Sequence, residues 1–208
     1  ILILQKREKS VIVVEGQMDA IRLYSEGFKN VVATGGTALT KEQVELFKKL
    51  KSRVILCLDN DRAGFEATYK MGEELVKNNI ETFVIRLSEA KDPDEYIKKF
   101  GKEAFDNNLK SLIKFFDFKL IYFKNNKDLN NSVDLAKYIN DILNNLKNEK
   151  DEILREITLQ KLSKDYNVDI NILKDKLGKI DKLVIETKQV PVEISKRKDK
   201  YQQACEKL

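Results

Sequence analysis

Four short apolar runs, at residues 11–14, 31–33, 54–58 and 82–87, divide the first hundred residues of the chain; each is rich in β-branched side chains and bounded by Gly, Asp or Ser. Runs of this length and character are expected of strands covered on both faces. The residues between them predict helices at about 17–27, 40–50 and 62–78, and Thr40 with Gln43 fits a capping box for the second. Strand–helix–strand alternation with such short connections implies βαβ units, right-handed crossovers and a parallel sheet. The expected fold class is α/β, a short parallel sheet flanked by helices, followed by an all-helical part.

The character of the chain changes near residue 101. Seven of the eight glycines lie at or before that point, and most of the asparagines lie after it. Helices are expected near 102–110, 111–125, 131–147, 150–164 and 169–177. Leu135, Ile139, Ile142, Leu143 and Leu146 have the spacing of one buried helical face, with Ser132 as the expected cap. Phe115, Phe118 and Tyr122 also recur at helical spacing, which favours a core role over a base-stacking platform. Residues 178–196, with Gly178 and Pro191, read as a linker, and a basic segment, Lys196-Arg197-Lys198, leads into a last helix. The chain starts at Ile1 and stops at Leu208 without a helix-ending signal, so it is expected to be a piece of a longer protein.

Composition removes several chemistries. There is no histidine, which excludes Ser-His-Asp and Cys-His catalysis and any histidine-bearing zinc site. The two cysteines cannot form a four-thiolate zinc site, and Cys57, inside the run at 54–58, reads as a small buried hydrophobe. Nothing resembles a disulfide framework, a signal peptide or a membrane span, so a cytoplasmic protein with no membrane partner is expected. The net charge of +5 is modest, and residues 1–100 are almost balanced, with 17 basic and 16 acidic side chains. A strong nonspecific DNA binder would concentrate Lys and Arg far more. Carboxylates, amines, hydroxyls and bound ions remain as the available chemistry.

The carboxylates are placed suggestively. Glu15 follows the first run, with Gly16 behind it to permit a sharp turn, and Asp19 lies one helical turn on. Asp59 and Asp61 follow the third run, and Asp92 and Asp94 flank Pro93 after the fourth. In an open parallel sheet these positions share one edge, the edge where ligands bind. Six carboxylates on one rim repel one another unless cations lie among them, and all-oxygen ligation suits hard cations such as Mg²⁺. Two such ions roughly 3.5–4 Å apart can serve phosphoryl or nucleotidyl transfer. Taken singly, each residue has a plainer reading: Asp61 as the cap of the helix starting at Arg62, and Asp92-Pro93-Asp94-Glu95 as a turn and helix start.

Residues 10–106 resemble the Toprim domain of bacterial DnaG-type primases. The segments that carry the resemblance are Val13-Val14-Glu15-Gly16-Gln17-Met18-Asp19, Ala33-Thr34-Gly35-Gly36-Thr37-Ala38-Leu39-Thr40, Leu58-Asp59-Asn60-Asp61-Arg62-Ala63-Gly64 and Asp92-Pro93-Asp94-Glu95, with Gly101-Lys102-Glu103-Ala104-Phe105 downstream. The glutamate and the Asp-x-Asp pair alone would indicate only Toprim, a fold shared with topoisomerases and some nucleases. The Gly-Thr-Ala-Leu-Thr and Asp-Pro-Asp-Glu segments favour primase. Two positions depart from the family pattern: Gln17 stands where Tyr or Phe is usual, and Asn60 where Gly is common. Neither removes a carboxylate.

The resemblance implies an α/β Toprim fold at 10–101, after a remnant of the polymerase core at 1–9. A helical subdomain at 102–177, the linker at 178–196 and the start of a helicase-binding region at 197–208 would follow. It implies DNA-templated synthesis of RNA primers from nucleoside triphosphates. Glu15, Asp59 and Asp61 would hold catalytic Mg²⁺ or Mn²⁺, and Asp19, Asp92 and Asp94 would support them or bind a further ion. Gly35, Gly36 and Thr37 would approach the nucleic-acid backbone through amide donors, although Gly-Gly can equally be a tight turn. Expected partners are single-stranded DNA template, RNA primer and the replicative helicase, the last through a C-terminal domain outside this chain; zinc is expected only in an N-terminal module that is also outside it. The setting would be the cytoplasm of a bacterium, or of one infected by a phage. Two other readings stand beside this one: a Toprim nuclease or topoisomerase-like cleavage enzyme, and a noncatalytic interaction module.

Overall fold

The computed structural model describes residues 10–36 and 38–189, the side chains of 180–189 excepted. Thr37, the remnant at 1–9, the last part of the expected linker and the segment 197–208 therefore lie outside the described residues. The chain divides into two units, Ile1–Lys127 and Asp128–Leu208.

In the first unit the elements alternate as expected: β1 (Ser10–Val14), α1 (Gln17–Ser25), β2 (Val31–Ala33), α2 (Lys41–Leu50), β3 (Arg53–Leu56), α3 (Arg62–Lys77), β4 (Thr82–Val84), α4 (Pro93–Lys110), β5 (Ile113–Lys114) and α5 (Phe115–Lys124). The sheet order is β2-β1-β3-β4-β5, with the first four strands parallel and β5 antiparallel to β4. Successive side chains of a strand point to opposite faces, and the two faces build two cores. Val11, Val13, Val54 and Leu56 meet Val44 and Phe47 of α2, Met71 and Leu75 of α3, and Phe115 and Phe118 of α5. Ile12, Val14, Ile55 and Cys57 meet Leu23 of α1 and Tyr96, Ile97 and Phe105 of α4. Burial on both sides is why these strands lack polar alternation.

Local chemistry fixes the element ends. Thr40 Oγ1 accepts from the Gln43 amide at 3.2 Å, and Gln43 Oε1 accepts from the Thr40 amide at 2.8 Å, the expected capping box. Helix α4 contains a break at Gly101, whose φ of 79° and ψ of 176° are non-helical. The helix expected at 102–110 is its second half, and the first half starts from Asp92. Strand β5 was not anticipated; residues 111–125 read as one helix, because a two-residue antiparallel strand leaves no periodic signature. Mid-helix Gly72 has a packing reason: a Cβ there would collide with the Phe115 ring.

The second unit contains α6 (Ser132–Leu146), α7 (Glu152–Tyr166) and α8 (Ile170–Gln189). Its core includes Ile142, Leu143 and Leu146, as the spacing predicts, with Leu159, Leu162, Leu173 and Leu177. Asn131, not Ser132, is the cap of α6: its Oδ1 accepts from the amides of Val133 (2.9 Å) and Asp134 (3.2 Å), and Ser132 is already helical. The unit boundary falls later than the compositional shift at 101, because α4 and α5 pack on the sheet. Helix α8 runs through Gly178 to Gln189, across the first part of the stretch read as linker; one glycine costs a helix only about 1 kcal/mol, and no proline intervenes before Pro191. Among the described residues no helix is long and apolar enough to cross a membrane.

Candidate functional site

The chain runs from β1 outward to β2 and later returns to place β3 on the other side of β1. A crevice at such a reversal, outside the carboxyl ends of the strands, is where open α/β sheets bind ligands. Glu15 is the first residue after β1, and Asp59 follows β3, whose pairing with β1 is prolonged by the Cys57 amide donating to the Val13 carbonyl at 2.8 Å. The two residues thus stand at neighbouring strand tips. Asp59 is pushed up to about 6, first by burial and then by the charges of Glu15, Asp19, Asp92 and Asp61. Five of the six acidic positions are thus within electrostatic reach of one another at Asp59, and Asp94 acts on Asp19.

Within that cluster they do different work. Asp19 is buried, and its carboxylate joins two loops: Oδ2 accepts from the Gly16 amide and Oδ1 from the Asp94 amide, both at 3.1 Å. Burial raises its pKa, while these hydrogen bonds and the charges of Asp92 and Asp94 act in opposite directions. Asp94 is committed to cations. It pairs with Lys98 and with Arg22 Nε, the latter at 2.7 Å, and these hold its carboxyl below the usual range. Asp92 caps α4 through the Glu95 amide at 2.8 Å. Asp61 caps α3 through the Gly64 amide at 2.8 Å, so the plainer reading of both aspartates holds alongside any other role.

Close packing positions Asp59. A Cβ on Gly64 would collide with the Asp59 carbonyl oxygen, so the first turn of α3 lies directly against the backbone that carries this carboxylate. The Asn60 amide donates to the Lys91 carbonyl at 2.7 Å, tying the loop after β3 to the loop before α4. On the other side of Glu15, Gly35 and Gly36 both have positive φ, 72° and 76°, where a side chain would be strained. The Gly35 amide donates to the Glu15 carbonyl at 2.9 Å, and the Cβ position of Gly36 is 4.0 Å from Glu15 Oε1. Gly35 and Gly36 thus border the acidic crevice; Thr37 is outside the described residues.

Among the described residues no three acidic side chains are gathered closely enough to form a ready metal cage. The donor set nevertheless fits a hard divalent ion: carboxylate oxygens only, with no ion pair to Glu15, Asp59 or Asp61 among the described residues. A cation among them would relieve the mutual repulsion that raises Asp59. The sequence reading did not find the pairing of Arg22 and Lys98 with Asp94, since only the fold brings α1 against α4. It also missed a pocket beside Asp59 and Asp61 that includes Arg62 and Arg86.

Comparison with known proteins adds an independent line. Residues 12–97 match the Toprim-like family, and residues 116–171 match the family described as the DnaB-helicase binding domain of primase. The second match lies before the segment 197–208 in which a helicase-binding region was expected to begin. The DNA primase of Listeria innocua is 36% identical over 174 residues, covering 83% of this chain and 28% of that protein. The Aquifex aeolicus primase structure, comprising zinc-binding and RNA polymerase domains, is similar with a TM-score of 0.60 and 33% identity, covering 81% of this chain and 40% of that one. A DnaG primase catalytic domain bound to single-stranded DNA is similar with a TM-score of 0.62 and 27% identity, over 77% of this chain and 52% of that one. The chain thus spans little more than a quarter of the length of the curated relatives it matches.

Proposed function

The chain belongs to the DnaG-type primase family as a partial-length member, and on that premise we propose that it carries the catalytic carboxylates of a DNA-templated RNA primer synthase. The reaction is nucleotidyl transfer: a 3′-hydroxyl attacks the α-phosphorus of a nucleoside triphosphate, a new phosphodiester bond forms, and the bond to the β-phosphate breaks to release pyrophosphate. The observation that carries the reading is the convergence of acidic groups at the tips of β1 and β3, sensed by Asp59.

Glu15, Asp59 and Asp61 would hold divalent ions, Mg²⁺ or Mn²⁺, which when bound supply charge neutralisation at the reacting phosphate. The chain's own groups preorganise that site. Gly64 lets α3 seat against Asp59, and Asp19 ties the loop after β1 to the start of α4. Asp92 and Asp94 hold the start of α4 in place, through a cap and through Arg22 and Lys98. The rigidity matters because positioning and electrostatic preorganisation supply most of the acceleration in such transfers.

Single-stranded DNA template and RNA primer are the proposed nucleic-acid partners. Gly35 and Gly36, which border the acidic crevice, and Thr37 after them in sequence would approach their backbone, and nucleoside triphosphates are the substrates. The match at 116–171 supports a contact with the replicative helicase, in the cytoplasm of a bacterium or of a phage-infected one. Ribonucleotide incorporation on single-stranded DNA by the full-length protein tests the reading. Incorporation with Mg²⁺ that is abolished by E15Q and D59N supports it; nicking of duplex DNA lost in the same variants would indicate a cleavage enzyme instead. Full incorporation by E15Q would leave the acidic rim without a catalytic role.

A further inference from the structure

The acidic positions differ in how their carboxylate oxygens are used. Among the described residues nothing donates to the carboxylates of Glu15 or Asp59. Asp61 and Asp92 each give one oxygen to a helix-cap amide. Asp19 gives both of its oxygens to amides, those of Gly16 and Asp94. Asp94 also gives both, but to cations: Oδ1 accepts from Arg22 Nε at 2.7 Å, and Oδ2 accepts from Lys98 Nζ.

The two cations at Asp94 are not equivalent. Lys98 stands one turn along the same helix, α4, with 58% of its side chain exposed, and such a surface pair is weak and readily exchanged. Arg22 belongs to α1, 72 residues away in sequence, and only the packing of α1 on α4 brings it there. The Asp94 side chain is 20% exposed, so the contact with Arg22 is charge-assisted and largely shielded from water. A divalent ion at Asp94 would need oxygens that already hold two positive donors. It would have to displace them or bind beside like charges, and both oppose it. Asp19, with both oxygens engaged, offers such an ion no substitute ligand. Unlike an ion arriving from solution, Arg22 is tethered to the fold and always at hand.

We propose that Arg22 is a fixed internal cation: it fills the place at Asp94 that a further divalent ion would take. Ion binding is thereby confined to the side of Glu15, Asp59 and Asp61. The inference rests on the reading of these carboxylates as cation-holding groups, and it makes Arg22 a positioning residue. Through Asp94, Arg22 keeps the start of α4 and its contact with Asp19 in place whether or not ions are bound.

The test counts Mn²⁺ ions bound per chain, by electron paramagnetic resonance of the free ion, in the unaltered chain, R22Q, D94N and the double variant R22Q/D94N. R22Q should bind one ion more than the unaltered chain, and R22Q/D94N should lose that extra ion. D94N alone should leave the count unchanged, because Asp94 holds no ion while Arg22 is present. A mere strut between α1 and α4 predicts a lower unfolding midpoint in R22Q and the same count in R22Q as in the unaltered chain. That result overturns the inference. So does a count lowered by one in D94N, an outcome that does not depend on whether R22Q folds. D59N keeps the two readings apart. Ions lost in D59N, with R22Q unchanged, uphold the carboxylate site and overturn the role of Arg22; ions bound equally by D59N and the unaltered chain remove both.

Discussion

The backbone amide of Asp94 donates to Asp19 Oδ1 across 75 residues of chain, at 3.1 Å. Because Asp19 Oδ2 receives the Gly16 amide at the same distance, one buried carboxylate locks the turn after β1 to the first turn of α4. Sequence spacing placed Asp19 beside Glu15 as a further acid. The fold gives it a second use, as the clasp between two of the loops that form the acidic rim.

Removing the clasp should therefore be felt in stability as well as in ion binding. D19A strips two part-buried amide donors of their acceptor, and about 1–3 kcal/mol of unfolding free energy should be lost. Denaturant unfolding of the chain measures this. D19N should fall between, since an amide offers one acceptor oxygen in place of two.

The elevated Asp59 carboxyl gives a signed dependence on pH. Its folded value of about 6 exceeds the ordinary 3.8, so between these limits the folded state binds the extra proton and stability falls as pH rises. The penalty is complete above about pH 6 and absent below about pH 4. In EDTA, D59N should melt above the unaltered chain at pH 7, and the gap should close at pH 4. Adding Mn²⁺ at pH 7 should raise the melting temperature of the unaltered chain and leave that of D59N nearly unmoved.

Two glycines provide opposite outcomes for one kind of substitution. G64A drives a Cβ into the Asp59 carbonyl oxygen, and backbone cannot yield as a flexible side chain would; a loss of about 1–3 kcal/mol and weakened Mn²⁺ binding are expected. G178A meets nothing within 4 Å and lies within α8, so it should stabilise by up to about 1 kcal/mol. Thermal unfolding of both variants decides the comparison.

The cap of α6 can be assigned in the same way. N131A should cost about 1 kcal/mol, because Asn131 Oδ1 serves two amide donors. S132A should change stability little, since Ser132 is already inside the helix. Equal losses in the two variants would contradict the assignment.

What was readable in advance follows physical lines. The β-branched runs, Thr40 with Gln43, and the acids after each strand are local patterns, and each appears where local chemistry puts it. Strand β5 was hidden because two residues carry no period. The engagement of Asp94 with Arg22 was hidden because α1 and α4 meet only after the sheet is assembled. Ser132 and Asn131 are both good caps by type, so composition could not choose between them; backbone geometry did. The shared edge of the strand ends was legible because parallel topology fixes it, whereas Arg62, at the start of α3, and Arg86, after β4, come to one pocket only through the pairing of β3 with β4.

The outer strands of the sheet are short, Val31–Ala33 on one flank and Ile113–Lys114 on the other. An exposed border of unpaired amides and carbonyls invites another chain to add itself, and a longer border invites it more strongly. Here a stray strand would find only two or three residues to grip on either flank. The brevity of β2 and β5 is thus a guard against self-association, while the two longest strands, β1 and β3, lie inside the sheet.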